Sequence, residues 1–339
     1  MGIVKHWAIR RAGLGFAALL ALASCSHPTA PTPPPPPPPP VADAPKLSCP
    51  LDGISRATVN AGGLPITYEV TVTGGEGAVT TSCSPASGEN FPIGATEVQC
   101  TATDSLNRKD TCAFTVSIAR LPQLSKTKFL AFGDSVTAGE ITFPVGGSLF
   151  GGAGLITRQV IVPGSAYPTV LLRTLQGRYS TQAASISVAN YGLGGERTVV
   201  ARSRFFDALN AVRPEAVLLM EGYNDIGGGA DGAASGAANE INIMVAEARA
   251  RGMSVFLATL APPRPSGNKA IGQIFIDDYN NRMRSVAARN GATLVDVYSA
   301  LLTDVNRYIG VDGLHPNEAG YAKIADTFFQ AIQAAFEVR

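Results

Sequence analysis

The residue best suited to acid–base chemistry lies close to the C-terminus of this chain. Of the three histidines in the 339 residues, His6 belongs to a basic, apolar N-terminal leader and His27 precedes a run of prolines. The third, His315, comes three residues after Asp312 in the segment Asp312-Gly313-Leu314-His315. Imidazole takes up and releases a proton near neutral pH, and an acid at this spacing is well placed to orient the ring. We therefore predict that His315 is a general base.

A general base needs a nucleophile to activate, and further polar segments follow apolar runs of the sequence. These segments are Gly133-Asp134-Ser135, then 190–196, then Glu221-Gly222-Tyr223-Asn224-Asp225, and finally 312–317 before the last helical pattern. Ligands of open α/β sheets bind beyond the carboxyl ends of the strands. If the apolar runs are strands of one sheet, the polar segments meet His315 at one edge of that sheet.

From about residue 127 to the C-terminus, short apolar runs alternate with helical patterns. The apolar runs are 129–132, 186–189, 216–220, 254–258 and 293–297, and helices are predicted over 166–175, 200–211, 235–251, 275–289 and 318–336. Strands that are apolar throughout are typical of a parallel sheet covered by helices on both faces. We predict an α/β domain over 127–339, with Asn317 as the N-cap of its last helix.

The segment 47–120 has a different pattern, made of short strands separated by glycine-rich and polar turns. About 70 residues of this kind predict a small all-β sandwich. The segment holds Cys49, Cys83, Cys100 and Cys112. In an exported chain these predict two disulfides, and four cysteines allow three pairings.

Residues 1–24 have the pattern of a secretory signal. Three basic residues precede an apolar stretch over 12–22, which is too short to span a bilayer. The stretch ends at Leu22-Ala23-Ser24-Cys25, which resembles the lipobox of bacterial lipoproteins and implies cleavage before Cys25 and acylation of that cysteine. The alternative is an ordinary signal peptide with an incidental cysteine.

Residues 25–46 follow as a linker that contains eight consecutive prolines. Such a tract adopts extended polyproline II and acts as a semi-rigid stalk. Together with the leader, it predicts an exported bacterial lipoprotein. The expected location is the outer membrane, facing the periplasm or the cell surface, with the N-terminal lipid as the only membrane attachment.

The charge balance argues against a nucleic-acid partner. Three of the 27 basic residues and none of the 26 acidic residues lie in 1–24, so the chain without its leader has 24 basic and 26 acidic side chains and a net charge of −2. Nucleic-acid binding requires a basic surface. No cluster of His, Cys and carboxylate residues has metal-ligand spacing, and neither a metal nor another cofactor is expected.

Four segments of the α/β part together resemble the SGNH (GDSL-type) hydrolases. They are, in order, Phe132-Gly133-Asp134-Ser135, the glycine cluster ending at Gly195, Gly222-Tyr223-Asn224-Asp225 and Asp312-Gly313-Leu314-His315. The resemblance implies a flavodoxin-like three-layer α/β/α sandwich with a five-stranded parallel sheet. It also implies a catalytic triad of Ser135 as nucleophile, His315 as base and Asp312 as the orienting acid.

The same resemblance implies an oxyanion hole built from three donors. These are the backbone N–H of Ser135, the backbone N–H of Gly195 and the side-chain amide of Asn224. Gly194 is a neighbouring alternative to Gly195. Asp134 and Asp225 are expected to hold the strand-end loops through hydrogen bonds to the backbone, and Glu221 is expected either to contact substrate or to cap a loop.

The segment 47–120 resembles the hyalin-repeat (HYR) module, an immunoglobulin-like extracellular domain. The matching segments include Cys83-Ser84-Pro85-Ala86-Ser87-Gly88 and Phe91-Pro92-Ile93-Gly94-Ala95-Thr96. Since the first and last strands of such sandwiches lie side by side, the resemblance implies the pairs Cys49–Cys112 and Cys83–Cys100. It suggests a role in spacing or adhesion, with a glycan or a protein as the partner.

These features together predict an exported serine esterase that hydrolyses carboxylic esters through an acyl-serine intermediate. The expected substrate is an acetylated carbohydrate or a short- to medium-chain acyl ester. The glycine-rich, apolar segment 141–163 is expected to form a pocket wall or lid, or else a packed insertion. Two alternatives are a surface-anchored binding or adhesion lipoprotein with an inactive hydrolase domain, and an acyltransferase that uses the same triad.

Overall fold

The computed structural model describes residues 35–37, 40–145 and 157–338. The leader, the expected lipidation site Cys25, half of the eight-proline tract and the centre of the 141–163 segment lie outside these ranges. No helix among the described residues is long and apolar enough to cross a membrane.

The N-terminal part of the described chain consists of short strands. They are β1 (Lys46–Ser48), β2 (Ile54–Thr58), β3 (Leu64–Pro65), β4 (Thr71–Thr73), β5 (Thr80–Ser84), β6 (Asn90–Phe91), β7 (Gly94–Thr103) and β8 (Lys109–Arg120). A four-stranded sheet has the order β2-β8-β7-β5, while β1 pairs with β4 and β3 pairs with β6. Alternate residues of β7 and β8 are buried, as expected for strands with one face on a core.

The core of this β-rich part is small and is supplemented by two disulfides. Phe91, Val98 and Val116 are fully buried. Cys49 is bonded to Cys112 and Cys83 to Cys100, which is the pairing that the HYR resemblance implied. The first bond joins the segment after β1 to β8, and the second joins the neighbouring strands β5 and β7.

The remainder of the chain forms the α/β domain. Its strands are β9 (Gln123–Leu124), β10 (Lys128–Gly133), β11 (Glu140–Pro144), β12 (Thr157–Ile161), β13 (Ser187–Gly192), β14 (Ala216–Met220), β15 (Ser254–Ala258), β16 (Thr293–Val295) and β17 (Glu337–Val338). Its helices are α1 (Ser135–Ala138), α2 (Tyr167–Arg178), α3 (Thr198–Val212), α4 (Tyr223–Ile226), α5 (Ala233–Ala250), α6 (Gln273–Asn290), α7 (Val297–Leu302), α8 (Val305–Tyr308) and α9 (Glu318–Phe336). A 3-10 helix covers Ser180–Ser185.

Five of these strands form the central parallel sheet, in the order β13-β10-β14-β15-β16. All five residues of β14 are buried, because the strand lies at the middle of the sheet with helices on both faces. β13 is only partly buried, as expected for an edge strand. The predicted five-stranded α/β/α fold is confirmed.

The predicted elements agree with the observed ones in position and differ at their ends. The runs 216–220 and 254–258 coincide with β14 and β15, whereas the run at 293–297 ends early because Asp296 caps α7. The Asn317 side chain accepts a hydrogen bond from the backbone N–H of Gly320 at 3.0 Å, which confirms it as the N-cap of α9. One apolar stripe of α9 is buried, including Tyr321, Phe328 and Phe336.

Candidate active site

Ser135 begins the short helix α1, and only Asp134 separates it from the end of β10. The turn is held by Asp134, whose carboxylate accepts hydrogen bonds from the backbone N–H of Val136 at 3.1 Å and of Tyr223 at 3.2 Å. Asp134 therefore connects the loop after β10 to the loop after β14. Asp225 holds a third loop, accepting from the backbone N–H and hydroxyl of Thr198. The expected loop-holding role of both aspartates is confirmed.

The hydroxyl of Ser135 lies beside the imidazole of His315. Ser135 Oγ is 2.9 Å from His315 Nε2, and His315 Nδ1 is 2.6 Å from Asp312 Oδ2. All three residues are buried, with Ser135 6% exposed and His315 4% exposed. The structure thus brings the three predicted triad residues together, although Ser135 and His315 are 180 positions apart in the sequence.

Asp312 is held in its ionised form by the groups around it. Burial alone would raise its pKa, but hydrogen bonds from the His315 ring and the Thr142 hydroxyl, with the charge of His315, lower the pKa of Asp312 to about 2. The Thr142 hydroxyl donates to Asp312 Oδ2 at 2.7 Å. The backbone N–H groups of Leu314 and His315 donate to Oδ1. A carboxylate at this position stabilises an imidazolium and fixes the proton of the neutral ring on Nδ1.

The predicted oxyanion donors lie on the loops after β10, β13 and β14. Gly195 has a φ of +78°, which favours glycine. Among the residues that the structure describes, the backbone N–H groups of Ser135 and Gly195 have no hydrogen-bond acceptor. Asn224 Nδ2 donates to the carbonyl of Glu196 at 2.8 Å and has a second N–H. Each of the three groups therefore has an N–H that is not used within the described chain.

Gly194 also lies beside the nucleophile, where a side chain would displace the Glu140 carboxylate. A Cβ on Gly194 would lie 2.1 Å from Glu140 Oε1 and 3.7 Å from Ser135 Cβ. A Cβ on Gly195 would meet no atom within 4 Å. The glycine at 194 therefore makes room for the Glu140 carboxylate, whereas the glycine at 195 provides the left-handed turn.

Arg204 of α3 connects the loops that carry these donors. Its guanidinium donates to the Glu196 carboxylate, to the carbonyl of Tyr191 at 2.8 Å and to the carbonyl of Gly133 at 3.3 Å. It also lies over the Phe132 ring, 4.0 Å from the ring centroid. One side chain thus joins the end of β10, the end of β13 and the residue after Gly195.

The hairpin of β11 and β12 covers the triad with a polar face. Thr142 and Gln159 are opposite each other in the hairpin, and they contact Asp312 and His315, respectively. Gln159 Nε2 lies 3.2 Å from His315 Nδ1 and 3.3 Å from His315 Nε2. Residues 146–156, the centre of the segment expected to form an apolar wall or lid, lie outside the described residues. In the described part of this segment, Thr142 and Gln159 make hydrogen bonds to the triad.

Glu221, directly after β14, is a buried acid, and neither of its carboxylate oxygens has a hydrogen-bond partner among the described residues. Burial, together with the negative charges of Asp134, Glu196 and Asp225, raises the pKa of Glu221 well above its ordinary value. Burial also raises the pKa of Asp134 to about 6, although backbone N–H donors lower it. Glu221 is only 2% exposed, and its surroundings favour the protonated form of its carboxyl group.

Several residues of the site were not predicted from the sequence. Thr142, Gln159, Glu140 and Arg204 carry no motif of their own, since their roles depend on the packing of a hairpin and a helix against the strand ends.

The described residues contain no group of three or more His, Cys, Asp or Glu side chains arranged to hold a metal ion.

At the strand ends of this parallel sheet, a hydroxyl, an imidazole and a carboxylate form one hydrogen-bonded series. Hydrolases that act on acyl groups have this arrangement. Residues 131–323 match the GDSL-like lipase/acylhydrolase family, and the chain belongs to this family. It is accordingly a carboxylic ester hydrolase. Residues 42–118 match the HYR domain. The comparison with curated proteins gives no match.

Solved structures similar to this chain include a lipase/acylhydrolase from Enterococcus faecalis, with 19% identity and a TM-score of 0.49 over 62% of this chain and 97% of that one. LAE5, an alpha/beta hydrolase enzyme from the metagenome of Lake Arreo, has 26% identity and a TM-score of 0.47 over 62% and 96%. The acetyl xylan esterase AlAXEase has 22% identity and a TM-score of 0.47 over 60% and 98%.

Proposed function

We propose that this protein is a serine esterase that hydrolyses carboxylic esters through an acyl enzyme on Ser135. The observation that carries the proposal is the hydrogen-bonded series from Ser135 Oγ through the His315 ring to Asp312. A serine hydroxyl is a weak nucleophile alone and needs an adjacent base. The base here is in contact with the hydroxyl and is itself oriented by a buried carboxylate.

In the acylation step, Ser135 Oγ attacks the ester carbonyl carbon while its proton passes to His315 Nε2. The tetrahedral intermediate then collapses, the bond to the alcohol oxygen breaks, and Nε2 returns the proton to that oxygen. In the second step, a water attacks the acyl carbon and gives a proton to Nε2. That proton returns to Ser135 Oγ as the carboxylic acid leaves. Asp312 stabilises the imidazolium in both steps.

The negative oxygen of each intermediate requires donors that are in place before the charge develops. Within the described part of the chain, the backbone N–H groups of Ser135 and Gly195 have no acceptor. Together with the second N–H of Asn224, they support an oxyanion hole at this position. Loss of one such donor costs about 3–4 kcal/mol of barrier stabilisation. Asp134, Arg204 and the carbonyl of Glu196 hold the three loops that carry these donors.

The proposed substrate is an acetylated carbohydrate or a short- to medium-chain acyl ester. The test is a 4-nitrophenyl ester chain-length series, measured beside acetylated xylan and pectin, with wild type and Ser135→Ala. The proposal predicts that Ser135→Ala lowers kcat by at least a thousandfold on every substrate. Activity that survives this substitution would remove Ser135 from the mechanism. Repeating the assay with an added sugar acceptor separates an esterase from an acyltransferase, because only a transferase forms the new ester.

We also propose that the enzyme is exported and anchored through a lipid on Cys25, as its leader and the Leu22-Ala23-Ser24-Cys25 segment suggest. The proline tract would hold the folded part away from the outer membrane, and the HYR domain would act as a spacer or bind a glycan or protein. Cys25→Ser is expected to move the protein from the membrane fraction to the soluble fraction. If wild type and Cys25→Ser are found in the same fraction, the proposal of a lipid anchor is wrong.

A further inference from the structure

We infer that the polar face of the β11–β12 hairpin is the binding site for the alcohol part of the ester, and that it selects a hydroxyl-rich alcohol such as a sugar. The inference rests on the proposed function, because it uses His315 as the acid that protonates the leaving group. It adds the residues Glu140, Gln159 and Lys269 to the site and assigns them the recognition of the alcohol.

The position of this subsite follows from the proton that the leaving alcohol must receive. His315 Nε2 gives that proton, so the alcohol oxygen lies next to Nε2 when the ester bond breaks. Gln159 Nε2 lies 3.3 Å from this ring nitrogen and Glu140 Oε2 lies 3.8 Å from it. The groups that border Nε2 from the hairpin therefore border the alcohol part of the substrate as well.

The hairpin is fixed both to the triad and to α9, so its polar face has a defined place. Thr142 donates to Asp312 at 2.7 Å, and the Tyr321 hydroxyl of α9 donates to the carbonyl of Glu140 at 2.6 Å. Glu140 and Thr142 are two residues apart on β11, and Gln159 is opposite Thr142. Side chains at these positions project from the same face of a β-hairpin. The three side chains form one surface over the triad.

Gln159 contacts the His315 ring without competing for its two hydrogen bonds. Both ring nitrogens already have partners, Asp312 at Nδ1 and Ser135 at Nε2. The Gln159 amide nitrogen is almost equally distant from the two nitrogens, so it lies against the face of the ring. Its remaining contacts are with the Glu140 carboxylate at 3.2 Å and with the Lys269 ammonium, which donates to Gln159 Oε1.

The chemistry of these three side chains suits an alcohol with several hydroxyl groups. A carboxylate accepts hydrogen bonds, an ammonium donates up to three, and an amide does both, which matches the hydroxyls of a sugar. These side chains also pair with one another, but their remaining N–H groups and oxygens face water. An apolar alcohol would cover those groups without replacing their hydrogen bonds to water, and each group left unpaired costs about 1–3 kcal/mol. The face therefore favours a polar leaving group over a hydrocarbon one.

The test compares two substrates that share the acetyl group and differ in the alcohol, namely acetylated xylo-oligosaccharide and 4-nitrophenyl acetate. The variants are Gln159→Leu, Glu140→Gln and Lys269→Met in the full-length protein. For Gln159→Leu, we expect kcat/KM on the acetylated sugar to fall at least tenfold more than kcat/KM on 4-nitrophenyl acetate. We expect the two charge variants to change the same ratio in the same direction. Gln330→Leu, an exposed glutamine on α9, is the matched control and is expected to leave both values unchanged.

The inference is overturned if the variants lower kcat/KM by the same factor on both substrates, since the side chains would then act only on the triad. It is equally overturned if neither substrate is affected. Failure of the proposed function gives a different result, because Ser135→Ala would then retain activity on both substrates. Thermal unfolding midpoints close to that of wild type show that a change of the ratio is not a folding defect.

Discussion

At the scale of single residues, Asp312 is the most constrained acid of the site. Four donors surround its carboxylate, namely the Thr142 hydroxyl, two backbone N–H groups and the His315 ring. An amide at this position cannot accept from all four, and its own N–H groups would favour the wrong tautomer of His315. We expect Asp312→Asn to lower kcat by about 10³- to 10⁴-fold.

The control for this prediction is Thr142→Val, which removes one donor and keeps the carboxylate. It is expected to lower kcat far less than Asp312→Asn. Steady-state kinetics on one ester give both values. If Asp312→Asn stays within tenfold of wild type, Asp312 does not have the orienting role.

Glu221 leads to a prediction about stability and pH. The pKa of Glu221 is raised in the folded protein, so the folded state keeps a proton that the unfolded state releases above the ordinary pKa of 4.5. The stability that this group contributes is therefore present below that value and is lost as the pH rises. Glu221→Gln removes the titration, and we expect it to raise the thermal midpoint more at pH 8 than at pH 5.

Thermal unfolding of Glu221→Gln and wild type at the two pH values tests this prediction. Glu247→Gln is the matched control, because Glu247 is 38% exposed in its side chain and pairs with Arg251 on the helix surface. An equal effect of Glu221→Gln at pH 5 and pH 8 would show that Glu221 is ionised in the folded protein.

At the scale of elements, Arg204 connects the end of β10 to the end of β13 and the loop that follows it. Arg204→Met leaves the buried Glu196 carboxylate without its partner, and breaking such a pair costs about 3–5 kcal/mol of unfolding free energy. We also expect kcat to fall by at least tenfold with little change in KM, because the oxyanion donors act in the transition state.

The double variant Arg204→Met with Glu196→Gln separates the two effects. Removing the unpaired charge is expected to recover much of the unfolding free energy, while kcat stays low because Tyr191, Gly133 and the Glu196 segment are no longer joined. Denaturant unfolding and steady-state kinetics on the same samples measure both. Full recovery of kcat in the double variant would mean that Arg204 has a structural role alone.

The central sheet could be predicted from the sequence because its strands are apolar throughout and its helices alternate with them. The polar ends of these strands also identified Ser135, Asn224 and His315 as neighbours, since parallel strands end at one edge. The β11–β12 hairpin could not be predicted in this way. Its site-facing residues Glu140, Thr142 and Gln159 are scattered among apolar and glycine residues, and their partners Asp312 and His315 lie more than 150 positions away.

At the scale of the whole molecule, the disulfides and the candidate active site lie in different parts of the chain. Cys49–Cys112 spans 63 positions and Cys83–Cys100 spans 17. In the chain-entropy model the longer loop contributes about 4 kcal/mol and the shorter one about 3 kcal/mol. We expect the Cys49→Ser/Cys112→Ser variant to destabilise the β-rich domain more than Cys83→Ser/Cys100→Ser, with kcat/KM on 4-nitrophenyl acetate unchanged in both.

Calorimetric unfolding of the two double variants, together with the ester assay, tests this separation. The transition that moves should belong to the β-rich domain, and the transition of the α/β domain should stay in place. Loss of esterase activity in either variant would show that the candidate active site depends on the N-terminal domain.

The central claim is that Ser135 is a nucleophile activated by His315, and covalent labelling tests it most directly. A fluorophosphonate reacts with an activated serine, and mass spectrometry of the digested protein identifies the modified peptide. We predict one adduct, on Ser135 in the wild type, with no labelling of Ser135→Ala and much slower labelling of His315→Ala. An adduct on another residue, or a wild-type protein that hydrolyses esters without being labelled, would contradict the account.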